Sequence, residues 1–290
     1  MLLICFLSLV ISAASQIPLT VNFGYDQNGY ATKTWKNIIY DRDPAKRTDD
    51  RRILTEAYED WIKLIRQESV NWPDSALQIN ALFDESLDSI RILIGDHNGN
   101  DAFTYKQLYI CFDLSELQDN YGDAVKPANR DRINRFFKHE YSHQLQKRWL
   151  LKHPQPENNH LQSAILECWS EGIGNYYSLS DGWRCKNGMI TEQTKSTLFE
   201  MQPVFVAKLI QLINATDQQA NDITRDLSNG PFRKKWGALT VALWIELYCQ
   251  GDQHKLNQLI DMGPKLVIYL ARQNLQLDSN HPFWAIENSL

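Results

Sequence analysis

Two histidines one helical turn apart, His139 and His143, bracket Glu140 in the run HEYSH. Residues four apart on a helix project from one face, so both imidazoles can reach a single metal ion at about 2.0–2.1 Å. Glu140 is turned roughly 100° from His139 about the helix axis. That leaves it poorly placed to ligate the same ion but well placed to take a proton from a water beside it. Two ligands and a base in one turn is the pattern of metal-assisted hydrolysis, with Zn2+ as the expected cofactor.

Catalytic zinc takes three protein ligands and keeps one position open, so two histidines are incomplete. The longer form of the motif adds a glycine three residues after the second histidine and a third histidine three further on. Gln146 and Trp149 occupy those positions, so the third ligand must come from elsewhere. The run LECWSEGIGNYYS at 166–178 offers Glu167 and Glu171, four apart and therefore on one helical face. Between the two runs, KHPQPENN at 152–159 contains two prolines and reads as a loop that lets the second helix fold back on the first. Either glutamate can complete the ligand set, leaving the other to accept the second ring N–H of a ligand histidine.

Periodicity indicates the elements that must hold these groups. Ile133, Phe137, Tyr141, Leu145 and Trp149 recur at helical spacing and predict a helix over 131–151 that carries the motif, with Phe136 and Phe137 as a dry wall beside it. A further helix is expected over 160–178. Upstream, 17–35 reads as an irregular or strand-like lead-in. Residues 47–70 read as a helix with Ile53, Leu54, Ala57, Trp61, Leu64 and Ile65 on its apolar side, and 75–83 as a second helix just after Pro73. The β-rich runs 89–96 and 107–114, joined by turn residues at 97–106, predict a strand pair. Beyond the motif, 195–215, 234–250 and 254–273 read as helices, and 236–249 is apolar almost all round, which predicts burial inside the fold. The fold class is therefore α+β and helix-dominated, with a small sheet before the motif helix.

The runs 139-HEYSH-143 and 169-WSEGIGNYY-177 resemble the gluzincins, thermolysin-like zinc peptidases whose third ligand is a glutamate. The second run is similar to the W-x-E-G-x-x-x-Y helix of many of them. The resemblance spans roughly residues 105–180 by motif, and it departs from the best-known subfamilies in the 27 residues between His143 and Glu171. It implies a zincin-like core, Glu171 as third ligand with Glu167 as the alternative, and Gly172 as the point of close helix approach. It also implies 108–114 as an edge strand for substrate. Residues 235–248 and 262–272 further resemble uncharacterised families of zinc-dependent peptidases. The implied activity is peptide-bond hydrolysis of a peptide or protein, with Glu140 as general base. Three rivals stand beside it: a catalytically silent zincin-fold binding protein, a zinc hydrolase of a non-peptide substrate, and a helical binding or structural protein carrying the motif by accident. Tyr176, Tyr177, His160 and Arg184 lie near the motifs, but nothing in the sequence selects one of them as oxyanion partner.

Composition sets the outer bounds. Hydrophobic residues make up 43% and charged residues 22%, a globular balance, and the net charge of −5 gives no electrostatic case for nucleic acid. An apolar run from Leu2 to Ile11 followed by Ser12, Ala13, Ala14 and Ser15 reads as a signal peptide at 1–15 and predicts a secreted or periplasmic protein. Residues 16–290 then form one domain, about 16–150 holding the sheet and motif helix and about 151–290 the helical remainder. No later run is long enough to insert stably in a membrane. Cys111, Cys168, Cys185 and Cys249 permit up to two disulfides or stand as buried thiols. His97, His153, His254 and His281 read as surface residues, and the basic run Arg233-Lys234-Lys235 as a solvated helix end. The sequence is silent on oligomeric state.

Overall fold

Four short runs rich in β-branched and aromatic residues form one mixed sheet in the computed structural model of the chain. They are β1 (Leu19–Phe23), β2 (Ile90–Gly95), β3 (Ala102–Tyr105) and β4 (Tyr109–Asp113), in the order β1-β2-β4-β3. The structure describes residues 17–46, 51–97, 99–155, 159–185 and 189–289, and the expected signal segment lies outside them. β1 and β2 pair in parallel, as do β2 and β4, and β3 runs antiparallel to β4. The expected strand pair is therefore present, but its partners are parallel. The stretch read as turns contains AFTY, whose alternation makes a third strand, and the chain needs that detour to re-enter in parallel.

Both faces of this sheet are covered. Ile92, Ile94, Ile110 and Phe112 point into the main core. Leu93, Phe103 and Cys111 point the other way, against Trp35, Ile38 and Ile39 of α1 (Lys33–Arg42). Burial on two sides explains why β2 reads as a continuous apolar run. Gly95 is required where Trp35 crosses the sheet, because a Cβ there would sit 2.2 Å from the indole.

The helices before the motif are α2 (Glu56–Ser69), α3 (Trp72–Phe83) and α4 (Leu114–Tyr121). α2 starts nine residues later than expected because Thr55 caps it, its hydroxyl accepting from the Tyr58 N–H, so Ile53 and Leu54 lie outside the helix and exposed. α3 starts earlier than expected, with Pro73 inside its first turn, where a missing N–H removes no helical bond. The motif helix α5 (Pro127–Lys152) also opens on a proline and is long. Its ladder Ile133, Phe137, Tyr141, Leu145 and Trp149 is buried throughout, Phe137 stacking on Trp72 at 4.5 Å.

α6 (His160–Ser178) begins at a capping box of Asn159 and Gln162 and packs on α5 and on α9 (Ala238–Cys249). Between them come α7 (Glu192–Leu212) and α8 (Asp217–Thr224). α9 is buried from Ala238 to Glu246, as its all-round apolar character predicts. The single helix expected at 254–273 is two, α10 (Gln253–Asp261) and α11 (Leu266–Asn274). Gly263, at φ +58°, and Pro264 separate them. One hydrophobic cluster extends from Ile17 to Ile286. The architecture is α+β, dominated by helices. No helix among the described residues is long and apolar enough to cross a membrane.

Candidate metal centre

Because α5 buries its ladder against the sheet and α3, its opposite face, bearing His139 and His143, is turned toward α6. The two Nε2 atoms stand 2.9 Å apart. Glu171 approaches from α6, one carboxylate oxygen 3.4 Å from His143 Nε2 and the other 3.6 Å from His139 Nε2. A tetrahedral ion bound at about 2.0–2.1 Å separates its ligand atoms by about 3.3 Å, so these spacings fit one ion. Two ring nitrogens with lone pairs face to face repel unless a proton or a cation lies between them. The three residues can therefore hold a metal ion, and they are the one such group of His, Cys, Asp or Glu among the described residues.

Each imidazole is oriented through its other nitrogen. His143 Nδ1 donates to Gln146 Oε1 at 2.8 Å, and Gln146 in turn donates its amide to the Ser170 carbonyl and accepts from the Ser170 hydroxyl. Gln146 thus bridges α5 and α6 behind the centre. His139 Nδ1 lies 3.0 Å from Ser178 Oγ, and Arg135 donates to the Ser178 carbonyl. The Gln146 oxygen can only accept, so it holds the proton on His143 Nδ1 and turns Nε2 toward the centre, while the Ser178 hydroxyl orients the His139 ring. Asn175 donates to the Glu171 carbonyl at 2.7 Å, which steadies the turn carrying the carboxylate.

Electrostatics within the group are strongly coupled. Burial opposes a charge on His143, but the Glu171 carboxylate beside it outweighs that and raises the imidazole to about 9. Burial likewise pushes the Glu171 carboxyl up, and the two histidines override it, holding the carboxyl well below the usual range. The structure therefore favours an ionised carboxylate facing a cation, whether that cation is a proton on imidazole or a metal.

Glu140 lies outside the trio, its Oε1 3.9 Å from His139 Nε2, and borders the same cavity of about 1010 Å3. Glu167 does not join the group. Its carboxylate accepts from Ser228, and burial raises its pKa. The partners of the histidines' Nδ1 atoms are a serine and a glutamine, not the second glutamate. None of Tyr176, Tyr177, His160 or Arg184 lines the cavity. Arg184 instead makes a two-pronged ion pair with Glu246.

Other expectations are corrected here. Gly172 does not admit α5: a Cβ there would sit 2.5 Å from Val241 of α9. Gly174 is the residue beneath the centre, since its Cβ would lie 2.8–3.0 Å from the His139 ring. β4 is not an edge strand. It lies between β2 and β3, and β3 takes the edge, with Ala102, Phe103 and Thr104 on the cavity. Lys147 of α5 donates to Thr104 and ties that edge to the motif helix. Phe136 lines the cavity, while Phe137 belongs to the core. His97 is buried at 4% exposure, because its backbone N–H caps onto the buried Asp113 carboxylate. The four cysteines among the described residues are all free, three of them buried.

No family model, curated protein or solved structure matches this chain. Its chemistry has to be read from its own residues.

Gln146, Ser178 and Gly174 were missed in the sequence. Gln146 carried a usable signal, a polar residue one turn after His143 on the same helical face. Ser178 and Gly174 matter only through contacts between α5 and α6, which spacing within one run does not reveal.

Proposed function

We propose that the chain is a zinc-dependent peptidase with a zincin-like core, in which His139, His143 and Glu171 hold the metal and Glu140 is the general base. The observation that carries this reading is the convergence of two imidazole nitrogens and one carboxylate, with a fourth residue, Glu140, beside them on an open cavity. Two nitrogens and one carboxylate oxygen form a donor set that suits zinc and leaves one position open. Zinc held there supplies Lewis acidity, lowering the pKa of water and polarising a carbonyl.

The protein groups do the rest. Glu140, close to His139 Nε2 yet outside the ligand trio, receives the proton of the attacking water and returns it to the leaving amine. Gln146 keeps His143 in the tautomer that presents Nε2, and Ser178 keeps the His139 ring in the matching orientation. The edge of β3 offers unpaired backbone groups beside Glu140, a surface on which an extended peptide can add as a strand.

The test combines elemental analysis with hydrolysis of a mixed peptide library by wild type and Glu140→Gln. About one zinc per chain in both proteins, with hydrolysis reduced about 10²–10⁴-fold in the variant, is the expected result. Absence of zinc from wild type, or undiminished hydrolysis in the variant, overturns the reading. In parallel, Glu171→Gln should lose zinc and Glu167→Gln should keep it.

A further inference from the structure

The cavity around the centre is bordered by four cationic side chains, Arg42, Arg132, Arg135 and Lys235. Arg135 is paired with Asp131. For the other three, no carboxylate among the described residues lies within ion-pair distance, although carboxylates outnumber cations in this chain, which carries a net charge of −5. Elsewhere in the fold some cations do find carboxylates, as in Arg130 with Glu68, Lys152 with Glu85 and Arg272 with Glu287. Partial burial presses both Arg42 and Arg132 toward lower pKa, although Arg42 stays exposed and Arg132 is half-buried.

The three share a mode of support. The Arg42 guanidinium lies 3.8 Å over the Phe103 ring, Arg132 lies 4.0 Å over Tyr121, and the Lys235 ammonium is 5.9 Å from the Phe232 ring centre. All three rings line the same cavity. An aromatic face holds a cation in place but satisfies few of its N–H donors, so each group keeps hydrogen-bonding capacity. Arg42 gives one donor to Asn100 and Arg132 one to Asn129, which leaves most of each guanidinium fork. The other acidic lining residues, Asp101 and Glu116, are engaged by Tyr121 and Asn120.

They come from three separate elements that border the cavity. Arg42 ends α1 next to edge strand β3, Arg132 is two turns before His139 on α5, and Lys235 leads into α9. We infer that this cavity selects peptides with acidic side chains, which pair with Arg42, Arg132 and Lys235. The inference rests on the peptidase reading for its substrate class, but the binding it requires can be measured without hydrolysis.

The probe is a fluorescein-labelled pentaglutamate peptide, with pentaglutamine and pentalysine as controls, titrated against full-length Glu140→Gln and read by anisotropy at low and high salt. The glutamate peptide should bind at least about tenfold more tightly than the glutamine peptide, with the gap narrowing in salt. Arg42→Gln, Arg132→Gln and Lys235→Gln should each reduce that preference several-fold while leaving pentaglutamine binding unchanged. Equal binding of the three peptides, or a preference for pentalysine, overturns the inference before any of the three cations is substituted. A glutamate preference without hydrolysis by wild type would sustain the cationic wall and reject the peptidase reading. Hydrolysis with no acidic preference would do the reverse.

Discussion

The floor and the rim of this cavity are built in different ways. The floor comes from two consecutive helices, α5 and α6, and each group that touches the proposed ion has a second contact that fixes it: Gln146 behind His143, Ser178 behind His139, Asn175 beside Glu171. The rim comes from segments far apart in the chain, and three of its four cations rest on aromatic rings without carboxylate partners among the described residues. A floor of this kind holds geometry and a rim of this kind holds charge. Damage to the first should abolish the metal centre, and damage to the second should only shift what binds.

The sharpest way to break that contrast is Gly174→Val. A branched side chain there collides with the His139 ring, so zinc affinity should fall at least about a hundredfold in a calorimetric or chelator-competition titration, with the fold kept by circular dichroism. Unchanged affinity would show that α6 can yield, and that the floor is less rigid than its packing implies.

The next effect concerns pH. Without metal, the His143 imidazole raised to about 9 carries a proton at neutral pH, and a metal ion must displace it. Apparent zinc affinity should therefore rise with pH, by about a hundredfold between pH 7 and pH 9, and level off above. An affinity that is flat over this window would mean that Glu171 does not hold a proton on His143.

Gln146→Leu comes third. It keeps the volume but removes the bridge to Ser170, and zinc affinity should drop about 10–100-fold. The smallest effect is expected at the rim. Phe103→Leu removes the ring beneath Arg42 and should reduce acidic-peptide preference about twofold to fivefold, with zinc binding unaltered.

The same contrast marks what could be read from the sequence. The motif histidines, Glu140 and the two glutamates are visible because helical spacing alone brings each pair to one face, and the α5 ladder is visible for the same reason. The choice between Glu171 and Glu167 depends on how α6 rotates against α5. That rotation follows from Gly172 seating on Val241 and Gly174 on His139, contacts with no local signature. β3 escaped notice because four residues within a turn-rich stretch are too few for a clear period. Lys235 read as a solvated end because nothing near it in sequence reveals the cavity it borders. Where the candidate site depends on one helical turn it is legible, and where it depends on segments brought together by the fold it is not.

The measurement that bears most directly on the central claim is a crystal structure of the zinc-loaded protein with anomalous data collected on both sides of the zinc edge. The expected result is a single peak bounded by His139 Nε2, His143 Nε2 and a carboxylate oxygen of Glu171, with Glu140 facing the open side and Glu167 remote. A peak bound by Glu167, or no peak between the two histidines, would contradict it.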